Sequence, residues 1–533
     1  MFVRIAVGLV IVGLCASDSF AQQFDRRARD EPEIVVEAGG RVGTCDVVRF
    51  TPDGKFLLAA GDDKVVRVWP HSAGGLDRTP GKAKTLRWRA WRDQLGGIKD
   101  IAISPDGKLV AVGGYGLRIS SVALIDRETG ENTAITWPKT GEGVNNFDAV
   151  TAIAFHPDPN RLRIGFGTAD GTIWLWEPKK LAATDLQDGR VWNAPVRVGR
   201  FSNKKNDQTV EAYNQARSIH FPDDKALVAV SHRGQALSFD LNSPMSDDLT
   251  QPIPAGKLLF EFHGKDEKPK VKYYVNHVQW SGDGKWIIAA SSGPLVKLFS
   301  TDGKTVLPLE LPNDHFIRGL AVHPKSGKVA MGVGRAPALV EGQPRFYIEG
   351  DYEIWIYDNP TAAEPAAPKK IKHTGRVEAL AFHPTEDRLA VAGGDADEVT
   401  LIDLAEADKP VSIVRGTGRH LMGVNLSEDG NVLGVRAGRN PAAKHPNEVG
   451  VGPWIRFDLS RFTLTADESS KWVDPLSKAG GWTIVPASDS RYIWYAERAR
   501  PDGGKERVRL LLDQDLDLAP TCYTFVPTPE GKP

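Results

Sequence analysis

One pattern recurs along the chain and narrows its possible folds more than any other feature. An alternating apolar segment runs into a Pro/Asp/Gly turn. A second apolar segment rich in Ala and Gly follows, and a third ends on an aromatic or aliphatic residue. The copies read VVRFTPDGKFLLAAGDDKVVRVWP from Val47, IAISPDGKLVAVGGYG from Ile101, AIAFHPDPNRLRIGFGTADGTIWLWEP from Ala152 and SIHFPDDKALVAVSHRGQALSFD from Ser218. They continue as HVQWSGDGKWIIAASSGPLVKLFS from His277, GLAVHPKSGKVAMGVG from Gly319 and ALAFHPTEDRLAVAGGDADEVTLID from Ala379. GVNLSEDGNVLGVRAG from Gly423 and a weaker WTIVPASDSRYIWYAE from Trp482 bring the number to nine. Alternation over short segments predicts strands. Pro presets φ, and Gly or Asp tolerates positive φ, so each turn closes a tight antiparallel hairpin. A further apolar stretch between copies, such as Lys257 to Phe262, supplies an outer fourth strand. A single four-stranded sheet cannot cover both of its faces, whereas sheets stacked radially bury them and leave only short edges.

Asp63 and Trp69 stand six positions apart, as do Asp170 and Trp176, and Asp351 and Tyr357 keep the offset with Tyr in place of Trp. With these pairs the repeat resembles the WD40 family over nearly the whole chain. The resemblance implies an all-β propeller, for which we expect about eight four-stranded blades, with seven to nine in range. It also implies a buried hydrogen-bond set of Asp, Trp, a hydroxyl and a His, with Thr168 as the hydroxyl and His263 and His373 at the histidine place. Phe239, Phe299, Ile402 and Phe457 occupy the aromatic position elsewhere, so the repeats are degenerate. The chain is identified as an exported, bacterial-type member of the family.

The expected organisation is a signal peptide at 1–21, a flexible segment at 22–32, the propeller at 33–522, and a tail or the start of an incomplete further unit at 523–533. Glu33-Ile34-Val35-Val36 is placed to close the ring by pairing with the last blade. A rival layout is a seven-bladed ring followed by the start of a second one. The N-terminus carries Arg4, an apolar run from Ile5 to Leu14, and Ser19-Phe20-Ala21, with small residues at the −3 and −1 positions of a signal-peptidase site. That pattern is a secretory signal, too short for a membrane span, and it predicts a periplasmic or secreted location. Leu14 before Cys15 argues against a lipid anchor. After cleavage Cys45 and Cys522 remain; they flank the first and last units, so a disulfide across the ring seam is one reading and two separate buried thiols the other.

A formal net charge of −1 with no long basic block argues against nucleic-acid binding. No HExxH, CxxCH, GxSxG or GxxxxGK[ST] pattern occurs, which removes the usual signals for zincin, c-type haem, serine-hydrolase and P-loop chemistry. His156, His323 and His383 share the turn slot of Ser104 and Thr51 and read as turn residues. Asp62, Asp63, Asp395, Asp397 and Glu398 could offer oxygens to Ca²⁺, but their spacing fits turn capping better. The expectation is therefore no catalytic residue, no metal and no cofactor.

Connections between blades, and between second and third strands, leave on one face and carry most of the length variation, as at 335–350 and 439–450. Long loops on a rigid scaffold are where binding surfaces form. Aromatic and Arg residues dominate hot spots, which nominates Trp91, Arg92, Phe147, Tyr213, Tyr273, Arg335 and Arg439. The leading expectation is a monomeric, non-enzymatic scaffold for an unidentified protein or peptide, outside the cytoplasm. The alternatives are a metal-dependent lactonase or hydrolase with an axial site, and a structural envelope component.

Overall fold

The structure is a computed structural model. It describes residues 45–414 outside the loops at 63, 78–81, 89–96, 116–120, 139–148, 182–191, 202–203, 206–207, 210–213, 246, 249–250, 252–255, 264–273, 336–351, 363, 374, 394–397 and 407–409. Beyond them it describes the backbone of the strands Glu33–Glu37, Leu421–Leu426, Val432–Ala437, Trp454–Asp458, Thr483–Ala487, Ser490–Ala499, Lys505–Asp513 and Cys522–Phe525.

Every described element is a strand, and each of the first seven repeats forms an antiparallel four-stranded blade. Blade five is representative: Val275–Trp280, Trp286–Ser291, Leu295–Ser300 and Val306–Glu310 pair in chain order. The first strands of the seven blades are Val47–Phe50, Ile98–Ile103, Val150–Phe155, Ala216–His220, Val275–Trp280, His315–Val322 and Val377–Phe382. Each touches the first strand of both neighbours, and following these contacts returns to the start. The first strands are therefore innermost, around a central channel, and the ring is closed.

The second strands show why their sequence is continuously apolar rather than alternating. Leu57, Leu58, Ala59 and Ala60 are all buried, because a blade has a neighbour on each face. Small residues appear where blades converge toward the axis. A Cβ on Gly332 would lie 2.4 Å from Val377 Cγ1, and one on Gly167 would lie 2.3 Å from Ala216 Cβ. Only glycine allows that approach. Farther out the wedge widens and takes Trp69, Trp176, Phe239 and Phe299, all buried on third strands, with Ile402 at the same place in blade seven.

The hairpin turns use two chemical solutions to one problem. In blade two Ser104 Oγ donates to Asp106 Oδ1 at 2.6 Å and accepts from Leu109 N at 2.9 Å. Thr51 and Ser281 bond to Asp53 and Asp283 in the same way. In blades six and seven a ring nitrogen replaces the hydroxyl: His323 Nδ1 accepts from Lys325 N at 3.1 Å, and His383 Nδ1 from Glu386 N at 2.9 Å. His156 accepts from Asp158 N at 3.2 Å. In the turn before the third strand of blade three, Thr168 Oγ1 donates to Asp170 Oδ1 at 2.5 Å and Thr172 Oγ1 to Asp170 Oδ2 at 2.8 Å. The Trp176 indole donates to Asn193 Oδ1 at 3.2 Å, so an amide stands where the resemblance implies a histidine. His373 Nδ1 instead meets Gly375 O at 2.8 Å. Tyr357 is buried, and burial pushes its phenol up. Asp63 and Asp351 lie outside the described residues.

Closure differs from the expectation. Glu33–Glu37 pairs parallel with Lys505–Asp513 and antiparallel with Cys522–Phe525, in a five-stranded sheet begun by Thr483–Ala487. It completes a sheet of the chain's last strands, and blade seven finishes with its own strand Pro410–Val414. The ring closes by packing: Cys45, Val48, Leu57, Ala59 and Trp69 of blade one meet Ala379, Ala390, Ala392, Val399 and Leu401 of blade seven. Ser412 Oγ accepts from Leu76 N across the same seam at 2.9 Å. The ring thus holds seven blades within 45–414, and the eighth and ninth repeats form two further sheets. Cys45 is buried at the seam, its Sγ donating to Val47 O at 3.4 Å. The side chain of Cys522 lies outside the described residues.

Candidate functional site

The channel mouth is built by a repeated irregularity in the innermost strands. In six of the seven, the pairing to the second strand slips by one residue: at Ile98/Asp100, Val150/Ala152, Ala216/Ser218, Val275/His277, Ile317/Gly319 and Val377/Ala379. A bulge leaves its extra residue unpaired and re-aims the side chain. The bypassed residues are Lys99, Thr151, Arg217, Asn276, Arg318 and Glu378, and every one is polar. Asp46 holds the matching place in blade one. Together they form a polar collar at the end of the channel where the inter-blade and second-to-third-strand connections leave. Each lies five residues before the first turn residue of its blade (Thr51, Ser104, His156, Pro222, Ser281, His323 or His383). That spacing is a sequence signal, but only the register slip gives it meaning.

The collar has two unlike arcs. Across blades seven, one and two the charges satisfy each other. Lys99 Nζ lies 2.8 Å from Asp46 Oδ2 and 3.4 Å from Asp62 Oδ1. Glu378 accepts from Cys45 N at 3.0 Å and lies 3.9 Å from Arg376 Nε. Beneath them Asp100 accepts from Ile153 N at 2.8 Å; burial pushes its carboxyl up despite Arg49 at 3.4 Å.

Across blades four to six the charge is positive. Arg217 has no carboxylate partner among the described residues, its Nε makes no hydrogen bond, and burial lowers its pKa. Arg318 lies over the Phe316 ring, 4.8 Å from its centroid. His277 stands within the field of both guanidinium groups; burial and those two charges push it down to about 4. Burial, Arg217 and Arg233 do the same to His232, also about 4. Both imidazoles are neutral at pH 7 and offer hydrogen bonds without charge. One large ring stands exposed beside this arc: Tyr274, stacked on His232 with centroids 4.3 Å apart. Tyr115 is exposed on the other arc, with Lys99 Nζ 5.6 Å from its ring centroid.

Of the nominated binding residues only Arg335 is described. It is exposed at the end of its strand, with Nε 2.8 Å from Asp314 Oδ2. Trp91, Arg92, Phe147, Tyr213, Tyr273 and Arg439 lie outside the described residues. The collar residues carry no loop signal in the sequence: they are polar positions scattered over seven repeats, and only the ring gathers them.

Among the described residues one cluster has metal-type donors, and it lies at the opposite end of the ring seam. The donor atoms of His71, His383 and Glu386 are within 4.8 Å of one another. All are already engaged. His71 Nδ1 and His383 Nε2 both meet Gly54 O, at 3.2 and 3.0 Å. Arg388 Nη1 lies 3.1 Å from His71 Nε2 and 3.1 Å from Glu386 Oε2, so a guanidinium holds the cation's place. Arg388 also donates to Ser72 O at 2.9 Å and Ala73 O at 2.6 Å. The cluster is a lock between blades one and seven.

Known proteins match these same segments. The family model described as WD domain, G-beta repeat (WD40) matches residues 38–70, 142–177 and 256–300. The last of these begins in the outer strand of blade four and ends in blade five, so the sequence repeat straddles two blades. The ring is a seven-bladed β-propeller, and three of its stretches resemble the WD40 repeat. Protein hir1 of Schizosaccharomyces pombe is 35% identical over 179 residues, which cover 31% of this chain and 17% of that protein. Subunit I of eukaryotic translation initiation factor 3 from Aspergillus fumigatus is 24% identical over 367 residues, covering 67% of this chain and 90% of its own length. The crystal structure of the Cps50 (Swd1) β-propeller domain of Myceliophteria thermophila covers 68% of this chain at 13% identity and TM-score 0.47. Both sequence relatives are fungal, and they lend nothing to a bacterial-type assignment.

Proposed function

We propose that the chain is a non-enzymatic scaffold that docks a protein partner at the channel mouth, outside the cytoplasm. The observation that carries this reading is the polar collar with exposed Tyr115 and Tyr274 beside it: recognition chemistry gathered at one end of a rigid ring. A relative named as a subunit of a translation initiation factor supports the scaffold role. No reaction is assigned, because the sequence carries none of the nucleophile, zincin, haem or P-loop patterns. The extracytoplasmic location rests on Arg4, the apolar run from Ile5 and the Ser19-Phe20-Ala21 site. Affinity purification of the full chain beside a Tyr115→Ala/Tyr274→Ala variant of equal Tm tests the docking site. We expect the co-purifying protein to be lost in the variant; full retention moves the site away from the mouth. Sequencing the mature N-terminus tests the location: Gln22 is expected, and Met1 on a cytosolic species overturns it.

A further inference from the structure

We propose that Arg217 and Arg318, set on either side of His277, form a clamp for a carboxylate of an acidic partner peptide. The inference rests on the scaffold reading and specifies the chemistry of its partner. A guanidinium largely withdrawn from water with no counter-ion is costly, and proteins normally pair or neutralise such a charge. Arg217 has neither a carboxylate nor, at Nε, an acceptor among the described residues. Among the described residues, blade five contributes Asn276 at the collar and His277 behind it, and blade six contributes Arg318, none of them a carboxylate.

The first strands of blades four, five and six pack side by side and slip register at the same place, which sets Arg217 and Arg318 on either side of blade five, and the lowered pKa of His277 agrees with that placement. A carboxylate there would accept bidentate, charge-assisted bonds from Arg217, which suit the planar fork of arginine. Phe316 holds the Arg318 guanidinium from one side, while Tyr274, exposed and stacked on His232, gives an apolar wall for a residue flanking the acid. The opposite arc sets the polarity. Asp46, Asp62 and Glu378 lie there, already matched to Lys99 and Arg376, and they repel a second acid. A peptide lying across the mouth is thereby oriented with its acid over blades four to six.

The test presents the full chain with two random peptide libraries, one with blocked and one with free C-termini. Enrichment of Asp or Glu in the blocked library assigns a side-chain carboxylate. Enrichment confined to the free library assigns a C-terminal one. Either supports the clamp if Arg217→Gln weakens the selected peptide about tenfold or more, the loss of one charged hydrogen-bonded contact. Arg217→Lys keeps the charge without the fork, should fall between the two, and covers the case in which the glutamine variant fails to fold. Peptides selected without acidic residues, unchanged binding by Arg217→Gln, or no selection at all overturn the clamp. So does displacement by inorganic phosphate at concentrations where acetate has no effect, which would make the site one for phosphate. If Tyr115→Ala/Tyr274→Ala abolishes partner capture and Arg217→Gln does not, the scaffold stands and the clamp falls.

Discussion

The two arcs of the collar occupy equivalent places in the same repeat yet resolve their charge in opposite ways. Across blades seven, one and two, Lys99 lies between Asp46 and Asp62, Glu378 lies beside Arg376, and Glu378 accepts from Cys45 N across the seam. Across blades four to six, Arg217 is left without a carboxylate among the described residues, and His277 and His232 are driven neutral beside it. A self-satisfied arc contributes to ring stability. An unsatisfied one costs stability. The contrast separates the part of the mouth that holds the ring shut from the part that meets a partner.

Substitutions on the two arcs should therefore move Tm in opposite directions. The largest effect is expected under the seam. Gly54 has φ +72°, and a Cβ there would lie 2.3 Å from His383 Nε2, so Gly54→Ala should lower stability by about 3 kcal/mol in denaturant titration. Loss of less than a third of that would mean blades one and seven yield easily. Glu378→Ala removes the carboxylate that accepts from Cys45 N and should cost about 2 kcal/mol, read as a fall in Tm.

The cationic arc predicts a pH slope. His277 is held at about 4 in the fold against an ordinary value near 6.5, so the unfolded chain binds its proton first. Its contribution is complete above pH 6.5 and is lost as pH falls toward 4. His277→Gln should remove about 1.5 kcal/mol of the stability lost between pH 7 and 5, allowing for water at the mouth. A variant with the wild-type slope would place the sensitive group elsewhere, with His232, also held at about 4, the next candidate. Arg217→Leu should raise stability by about 1 kcal/mol, because it removes a desolvated charge; a fall in Tm would show that the arginine is already paired. Lys99→Met should have the smallest effect, about 0.5 kcal/mol, because the pair is partly open to water and screened by salt.

Much of the architecture was legible from periodicity. Seven of the nine repeats became blades, with turns at Pro52, Pro105 and Pro384 where the pattern places them. His156, His323 and His383 are turn residues, as their shared slot with Thr51 and Ser104 suggests. The ring size was not legible, since the units at Gly423 and Trp482 carry the same signals as those that close it. Nor was the role of Glu33–Glu37, because an apolar strand pattern does not name its partner.

What the sequence by itself determined is the unit: strand, turn, small-residue strand and aromatic strand, each dictated by interactions within a few residues. The tertiary structure decided the number and the site. Ring closure depends on the wedge angle summed over all blades and on whether Val47–Phe50 meets Val377–Phe382. The mouth depends on seven side chains more than 300 residues apart at their extremes, from Asp46 to Glu378, being brought to one axis, six of them at a bulge. Local chemistry repeats along a chain; charge balance between distant repeats exists only once the ring has closed.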